Sequence, residues 1–335
     1  MKKKYWLYIL FIFLLAITVV ILLNKRSGTI NRDENQFAVK DTGLISLIEI
    51  RSPANTVILE RMQGHWMIDG HYSAGNKSIA GLLMIISRLQ ISAPVPGAIR
   101  SEITDKLIKE GKRITIVTER KNPHVILMYH DTVHTNTTYM MMEHSDQPFR
   151  VGIPGYPERN LARYFVDEVN YWRDNSIFRF REDEIFSISM YIRLQPDKSF
   201  HLVNDINNGY KLYTYTDSTE VPDVLDEKAG QYLSYYSSVS FERFLSDDEK
   251  MTQAGLNKDD PAIVITLTDS RNNVIQVKTF PWYIFHQDAP PEVDLNRLIA
   301  IINNSDVVVV KYVELDPVIK DIGYFLEKEK NNLYN

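Results

Sequence analysis

The sequence predicts an α+β protein: an N-terminal transmembrane helix followed by two tandem, duplicated modules of antiparallel sheet with covering helices. Three observations carry that expectation. An uncharged run fills residues 5–23. Beyond it, apolar residues alternate in short segments bounded by turn residues, and the order of those segments recurs after about 140 residues. The boundaries follow: a cytoplasmic end at 1–4, the transmembrane helix at 5–23, a stalk at 24–36, and modules at 37–172 and 173–335.

The anchor comes first. "MKKKYWLYILFIFLLAITVVILLNKR" sets three lysines before the apolar run, which as a helix reaches about 28 Å and spans a bilayer. A cleaved signal peptide would have a shorter apolar core and a small-residue cleavage site, and neither precedes Asn24, Lys25 and Arg26. Lys2, Lys3, Lys4 and the terminal amine outweigh Lys25 and Arg26, which places the short end in the cytoplasm and the bulk of the chain across the membrane. Tyr5, Trp6 and Tyr8 suit the headgroup belt. The polar "SGTINRDENQ" that follows reads as a flexible stalk.

Composition then bounds what the modules are. In 335 residues, 44% hydrophobic and 11% aromatic content supplies two cores of ordinary size. With 38 basic against 43 acidic side chains and a net charge of −5, no polycationic surface for nucleic acid is expected. Cysteine is absent, which excludes disulfides, thiolate metal sites and cysteine nucleophiles.

Within the first module, "LISLIEIRSPANTVILERMQGHWMIDG" reads as a meander through Ile45, Ile48 and Ile50, then Val57 and Leu59, then Trp66 and Ile68. In "NKSIAGLLMIISRLQ", Ile79, Leu82, Leu83, Ile86 and Leu89 recur at helical spacing. The second module repeats the pattern through Ile185, Ile188 and Met190, then Phe200 and Leu202, then Tyr210, Leu212 and Tyr213, with a helix expected in "PDVLDEKAGQYLSYYSSV". Hairpins holding Ile114 and Ile116, and Ile263 and Ile265, extend the parallel. Each half ends in a helical pattern, at 161–166 and 317–326, the latter with Asp316 as N-cap and Pro317 in the first turn.

"YFVDEVNYWRDNSIFRF" falls at the module boundary. Trp172 and Phe178 supply large apolar faces and Arg173 a forked donor for a carboxylate, so Arg163, Trp172, Arg173, Asp174 and Phe178 are the candidate interdomain joint. A catalytic pairing of Arg173 with Asp174 lacks a nearby His, Ser or phosphate loop. His124, His130, His134 and His144 invite a metal reading, but their Thr- and Asn-rich setting reads as loop and lacks helical H-E-x-x-H spacing. "TYMMMEH" cannot present three methionines to one face of a strand and reads as core and hairpin packing. "VGIPGYPERN" is loop architecture without the Lys-Ser/Thr of a phosphate cradle. Tyr232, Tyr235 and Tyr236 form a candidate partner surface, although their helical spacing also fits a buried stripe. "SDDEK" reads as a solvated helix start.

The segments "FAVKDTGLISLIEI", "NTVILERMQGHWMI", "SAPVP", "TYMMMEHSDQPFRVGIPG", "ARYFVDEVNYWRDNSIF" and "KSFHLV", in that order, resemble the Gram-negative bacterial family called domain of unknown function number 4340, over residues 37–326. The resemblance implies one N-terminal span and a periplasmic region, and a related domain occurs in an auxiliary subunit of a gliding-motility ABC transporter. It supplies no catalytic residues. Its recurrent features fall on Trp66, the turn at 94–96, the strand at 139–143, Arg163, and Trp172 with Arg173 and Asp174. Asn136 stands where the family pattern leads one to expect glycine.

Three function classes follow. The leading one is a non-enzymatic binding or scaffolding component of an envelope complex, held in the inner membrane with its bulk in the periplasm. It requires a protein partner but no cofactor, no metal and no evident small molecule. The alternatives are an auxiliary subunit of an ABC-type transporter or gliding-motility apparatus, by analogy alone, and a metal-dependent hydrolase using the histidines between His124 and His144.

Overall fold

The computed structural model describes residues 13–15, 18, 36–119, 121–132, 136–156, 160–205, 209–254, 260–287 and 289–326. Apart from 13–15 and 18, the predicted span at 5–23 lies outside these residues, as do the cytoplasmic end and the stalk up to residue 35. Among the described residues no helix is long and apolar enough to cross a membrane. The remainder is α+β, with two large antiparallel sheets and several helices. The chain divides into two compact units between Asp174 and Asn175.

In the first unit, β1 (Ile45–Arg51), β2 (Thr56–Met62), β3 (His65–Ile68) and β4 (Tyr72–Ser73) step outward as successive hairpins. Two of their turns place both central residues at positive φ, Gln63 with Gly64 and Asp69 with Gly70, the twist that two-residue hairpins favour. Helix α1 (Asn76–Arg88) then lays Ile79, Leu82, Ile85 and Ile86 on the inner face, among Ile48, Ile50, Leu59 and Ile116. The chain emerges at the opposite edge as β5 (Gln90–Pro94). Helix α2 (Gly97–Lys109) crosses the outer face, and β6 (Lys112–Thr118), β7 (Lys121–Asp131), β8 (Thr137–Met142) and β9 (Phe149–Gly152) fill the space between. The strand order is β4-β3-β2-β1-β6-β7-β8-β9-β5.

The second unit begins with β10 (Ser176–Phe178) and then repeats that path. β11 (Ile185–Ile192), β12 (Phe200–Asp205), β13 (Gly209–Thr214) and β14 (Glu220–Val221) step outward, and helix α4 (Asp226–Ser234) covers the inner face; α3 is the short Val169–Trp172 that closes the first unit. β15 (Val239–Ser240) pairs with β10, and β16 (Arg243–Phe244) takes the far edge. Helix α5 (Asp247–Ala254) follows, then β17 (Ile263–Asp269), β18 (Val274–Ile284), β19 (Glu292–Ile302) and β20 (Asp306–Lys311). The order is β14-β13-β12-β11-β17-β18-β19-β20-β16, which is the first order strand for strand.

The likeness extends to register. Ile48 pairs with Leu59 and Ile116, and Ile188 with Leu202 and Leu267. Each central strand is preceded by a 3-10 turn, Thr42–Leu44 or Glu182–Glu184. Each breaks register near its start, between Ile45 and Leu47 or between Ile185 and Ser187. A bulge retained at one rung is a specified feature of a strand pair.

Two expected terminal helices differ from the prediction. Residues 161–166 hold only the 3-10 turn Ala162–Tyr164. The last pattern is displaced upstream to α6 (Tyr312–Leu315), followed by the 3-10 turn Ile322–Phe325. Asp316 ends α6 as its C-cap instead of opening a helix. Pro317, without an N–H, stands where the helical ladder stops.

Candidate functional site

Both sheets carry helices on two faces, and the outer faces differ in how well they are filled. In the first unit, Tyr129 pairs with Tyr139, and Tyr139 and Met141 lie beneath Ile103 and Leu107 of α2, with Val95 alongside. Register assigns each sheet residue a counterpart: Phe280 pairs with Ile299 as Tyr129 does with Tyr139. Ile301 takes the place of Met141. Leu245 takes that of Val95, since the N–H of each donates to the neighbouring strand, to Pro148 and Val307. The covering helix is what changed. Among the described residues, α5 (DDEKMTQA) offers no aliphatic pair like Ile103 and Leu107 of α2. A cavity of about 220 Å³ remains, walled by Leu245, Phe280, Ile299, Ile301 and Val307.

Three residues of α5 complete the site. Gln253 is 4% exposed. Its amide donates to the Tyr283 carbonyl at 2.8 Å and accepts from the Tyr283 N–H at 3.1 Å. It thereby substitutes for a strand partner beyond Thr279, where β17 stops pairing with β18. Ala254 is exposed and lines the hollow, as does the half-buried Lys250, paired with Asp247 at 2.9 Å. The helix is fixed at its start by Ser246 and Glu249, each accepting from the other's backbone N–H as in a capping box. Arg243 of β16 forks onto both Glu249 oxygens at 2.6 Å, and this hydrogen-bonded guanidinium holds the carboxyl down at about 2. The lining is apolar and its polar neighbours are occupied, so the hollow is suited to an apolar guest.

A polar rung crosses the same outer face farther along. Tyr213, His201, Ser189, Thr266 and Gln276 stand in register on five adjacent strands. The His201 Nδ1 lies 2.7 Å from the Ser189 hydroxyl, and burial lowers the imidazole's affinity for a proton. The rung itself includes no carboxylate to orient the imidazole as a triad requires.

The residues singled out in the sequence are dispersed. Trp172 ends α3 at 1% exposure in the first unit's core, its indole N–H donating to Val166 at 2.8 Å. Its carbonyl accepts from Gly75, and Asp174 donates to Ser73. Arg173 lays its guanidinium over Tyr72 at 4.1 Å, and Arg163 is exposed beside the Tyr164 ring. Phe178 belongs to the second unit's core, edge-on to Tyr236 at 4.9 Å. Tyr232 and Tyr236 are both 0% exposed; their hydroxyls meet at 2.7 Å, and Tyr232 donates to Val318. Only Tyr235 of that trio is partly open, so the helical stripe is core and offers a partner little surface.

His124 and His130 lie on β7, six positions apart. His130 meets Thr138 with one ring nitrogen and Asn136 with the other. His144 sits in the turn after β8, and His134 lies outside the described residues. Among the described residues no group of three His, Asp or Glu is placed to hold a metal. The methionines alternate faces: Met140 joins the inner core and Met141 the outer cluster. Asn136 adopts φ +46°, the left-handed region that glycine and asparagine tolerate best.

Apart from Lys250, which falls in "SDDEK", the sequence reading did not single out the cavity residues. They come from α5, β18, β19 and β20, with Leu245 just after β16, and carry no local motif. The available signal was the repeat itself, which aligns Tyr139 with Ile299. Comparison with protein-family models, with curated proteins and with solved structures returned no match.

Proposed function

We propose that the chain is a single-pass, membrane-anchored binding component of the bacterial envelope, non-catalytic, with its two units in the periplasm. The units descend from one duplicated module; the first keeps its outer face sealed, and the second has opened that face to hold something. The observation that carries this reading is the contrast between Ile103 and Leu107 packed over Tyr139 and the hollow over Ile299 at the corresponding rung. Duplication followed by divergence of one copy leaves such a pair, in which the second unit forfeits packing energy and gains space for a guest. The lysine-flanked run at 5–23 supplies the anchor, and the family resemblance supports the periplasmic placement.

Cross-linking in native membranes followed by mass spectrometry tests it. Reproducible cross-links from α5 and the neighbouring strand ends to one envelope component are expected. A full chain that yields none there, in membranes where other envelope complexes cross-link normally, overturns the reading.

A further inference from the structure

We propose that the cavity beneath α5 holds the hydrocarbon chain of a medium-length free fatty acid, with its carboxylate at Lys250. This names the ligand class of the binding site just described and rests on that reading. The walls are hydrocarbon, so the buried part of the guest is hydrocarbon as well: any polar atom placed against Phe280, Ile299 or Val307 would lose water and gain no partner. Size sets the length. A dry apolar cavity of about 150 Å³ holds benzene, so about 220 Å³ accommodates a chain of roughly eight carbons by the same scale. Gln253 does not supply the polar end, because both ends of its amide are engaged with Tyr283.

The head group is set by charge. Among the described residues, Lys250 is the one charged side chain in the lining. Its Asp247 partner is exposed, with 89% of that side chain open to solvent, and such surface pairs are worth little. A carboxylate entering with its chain in the hollow therefore exchanges with Asp247 at small cost. Ala254 is exposed and Lys250 half-buried among the lining residues, so in this proposal the head group stays beside them and the chain enters tail first.

The test uses the full chain in its native membranes and a medium-chain fatty acid bearing a diazirine and a terminal alkyne. Light-induced labelling is expected on peptides containing Leu245, Ala254, Ile299 or Val307. Octanoate should suppress it at least about tenfold more effectively than octan-1-ol, and Lys250→Ala should weaken labelling by about tenfold, as loss of a charge-assisted contact does. Ala254→Trp fills the hollow from an exposed position and should abolish labelling while the melting temperature stays near that of the wild type.

Labelling that survives Ala254→Trp, or equal competition by acid and alcohol, overturns the proposal. So does labelling by a diazirine phospholipid in place of the free acid. If the acid fails to label while protein cross-links from α5 persist, the ligand assignment falls and the binding reading stands. If both are absent, both fall.

Discussion

Trp172 is the largest fully buried side chain among the described residues, and its N–H is matched to the Val166 carbonyl. The segment's aromatics divide between the two units: Phe165 and Trp172 lie in the first unit's core and Phe178 in the second's. The sequence shows that a large ring stands there and that it has an apolar destination, but identity alone does not say which apolar surface receives it. The same limit applies to Tyr232 and Tyr236: their spacing fixes a shared helical face, and only the arrival of Phe200 and Phe325 against Tyr232 and of Phe178 against Tyr236 makes that face core. For Trp172→Ala, a cost of about 3–5 kcal/mol is expected, because the indole leaves a void that its neighbours close only in part. Thermal unfolding of the full chain measures it. A melting temperature unchanged from wild type would mean that the ring contributes nothing to the first unit.

At the scale of elements, strands were more legible than helices. Period-two alternation in Ile48 and Ile50 or Ile188 and Met190 is imposed by sheets with one deeply buried face, and it is legible in the bare sequence. The 13 residues of α2, by contrast, follow directly on the turn at 94–96. Their apolar positions, Ile99, Ile103 and Leu107, are separated by polar turns, so the turn reading of "SAPVP" ended the pattern before the helix began. α5 was visible only as an acidic helix start, and its importance lies in what anchors it. The Arg243 fork holds the Glu249 carboxyl at about 2, against an ordinary value near 4.5. A depressed carboxyl contributes stability that is complete above the unfolded value and is lost as the pH falls toward the folded one. Stability of α5 on its sheet should therefore decline from about pH 4.5 toward 2. Glu249→Gln should lower the melting temperature at pH 7 and flatten that part of its pH dependence. Melting curves recorded across the acid range decide it, and parallel profiles for the two proteins would remove the fork from the account.

For the whole molecule, what recurs in the sequence recurs in the sheets, down to the bulge at the start of β1 and of β11. Duplication of pattern was readable because both inner faces demand the same alternation, while the hollow was not, since it depends on how side chains of separate elements meet across the outer face. Placement in the cell rests on a different part of the chain. Lys2, Lys3 and Lys4 stand before the apolar run and Lys25 and Arg26 after it, and the flank richer in cations stays in the cytoplasm. A phosphatase that folds only outside the cytoplasm, fused after Asn335, should then be active, and a cytoplasmic galactosidase at the same position inactive. Because the bias rests on three lysines and the terminal amine against Lys25 and Arg26, it is also fragile. Changing Lys2, Lys3 and Lys4 to glutamine leaves Lys25 and Arg26 as the dominant flank, and the same pair of reporters should shift toward galactosidase activity. Reporters that keep their activities through that change would show that the charged flanks do not orient the anchor; a galactosidase active in the unaltered chain would place both units, and the hollow beneath α5, on the cytoplasmic side.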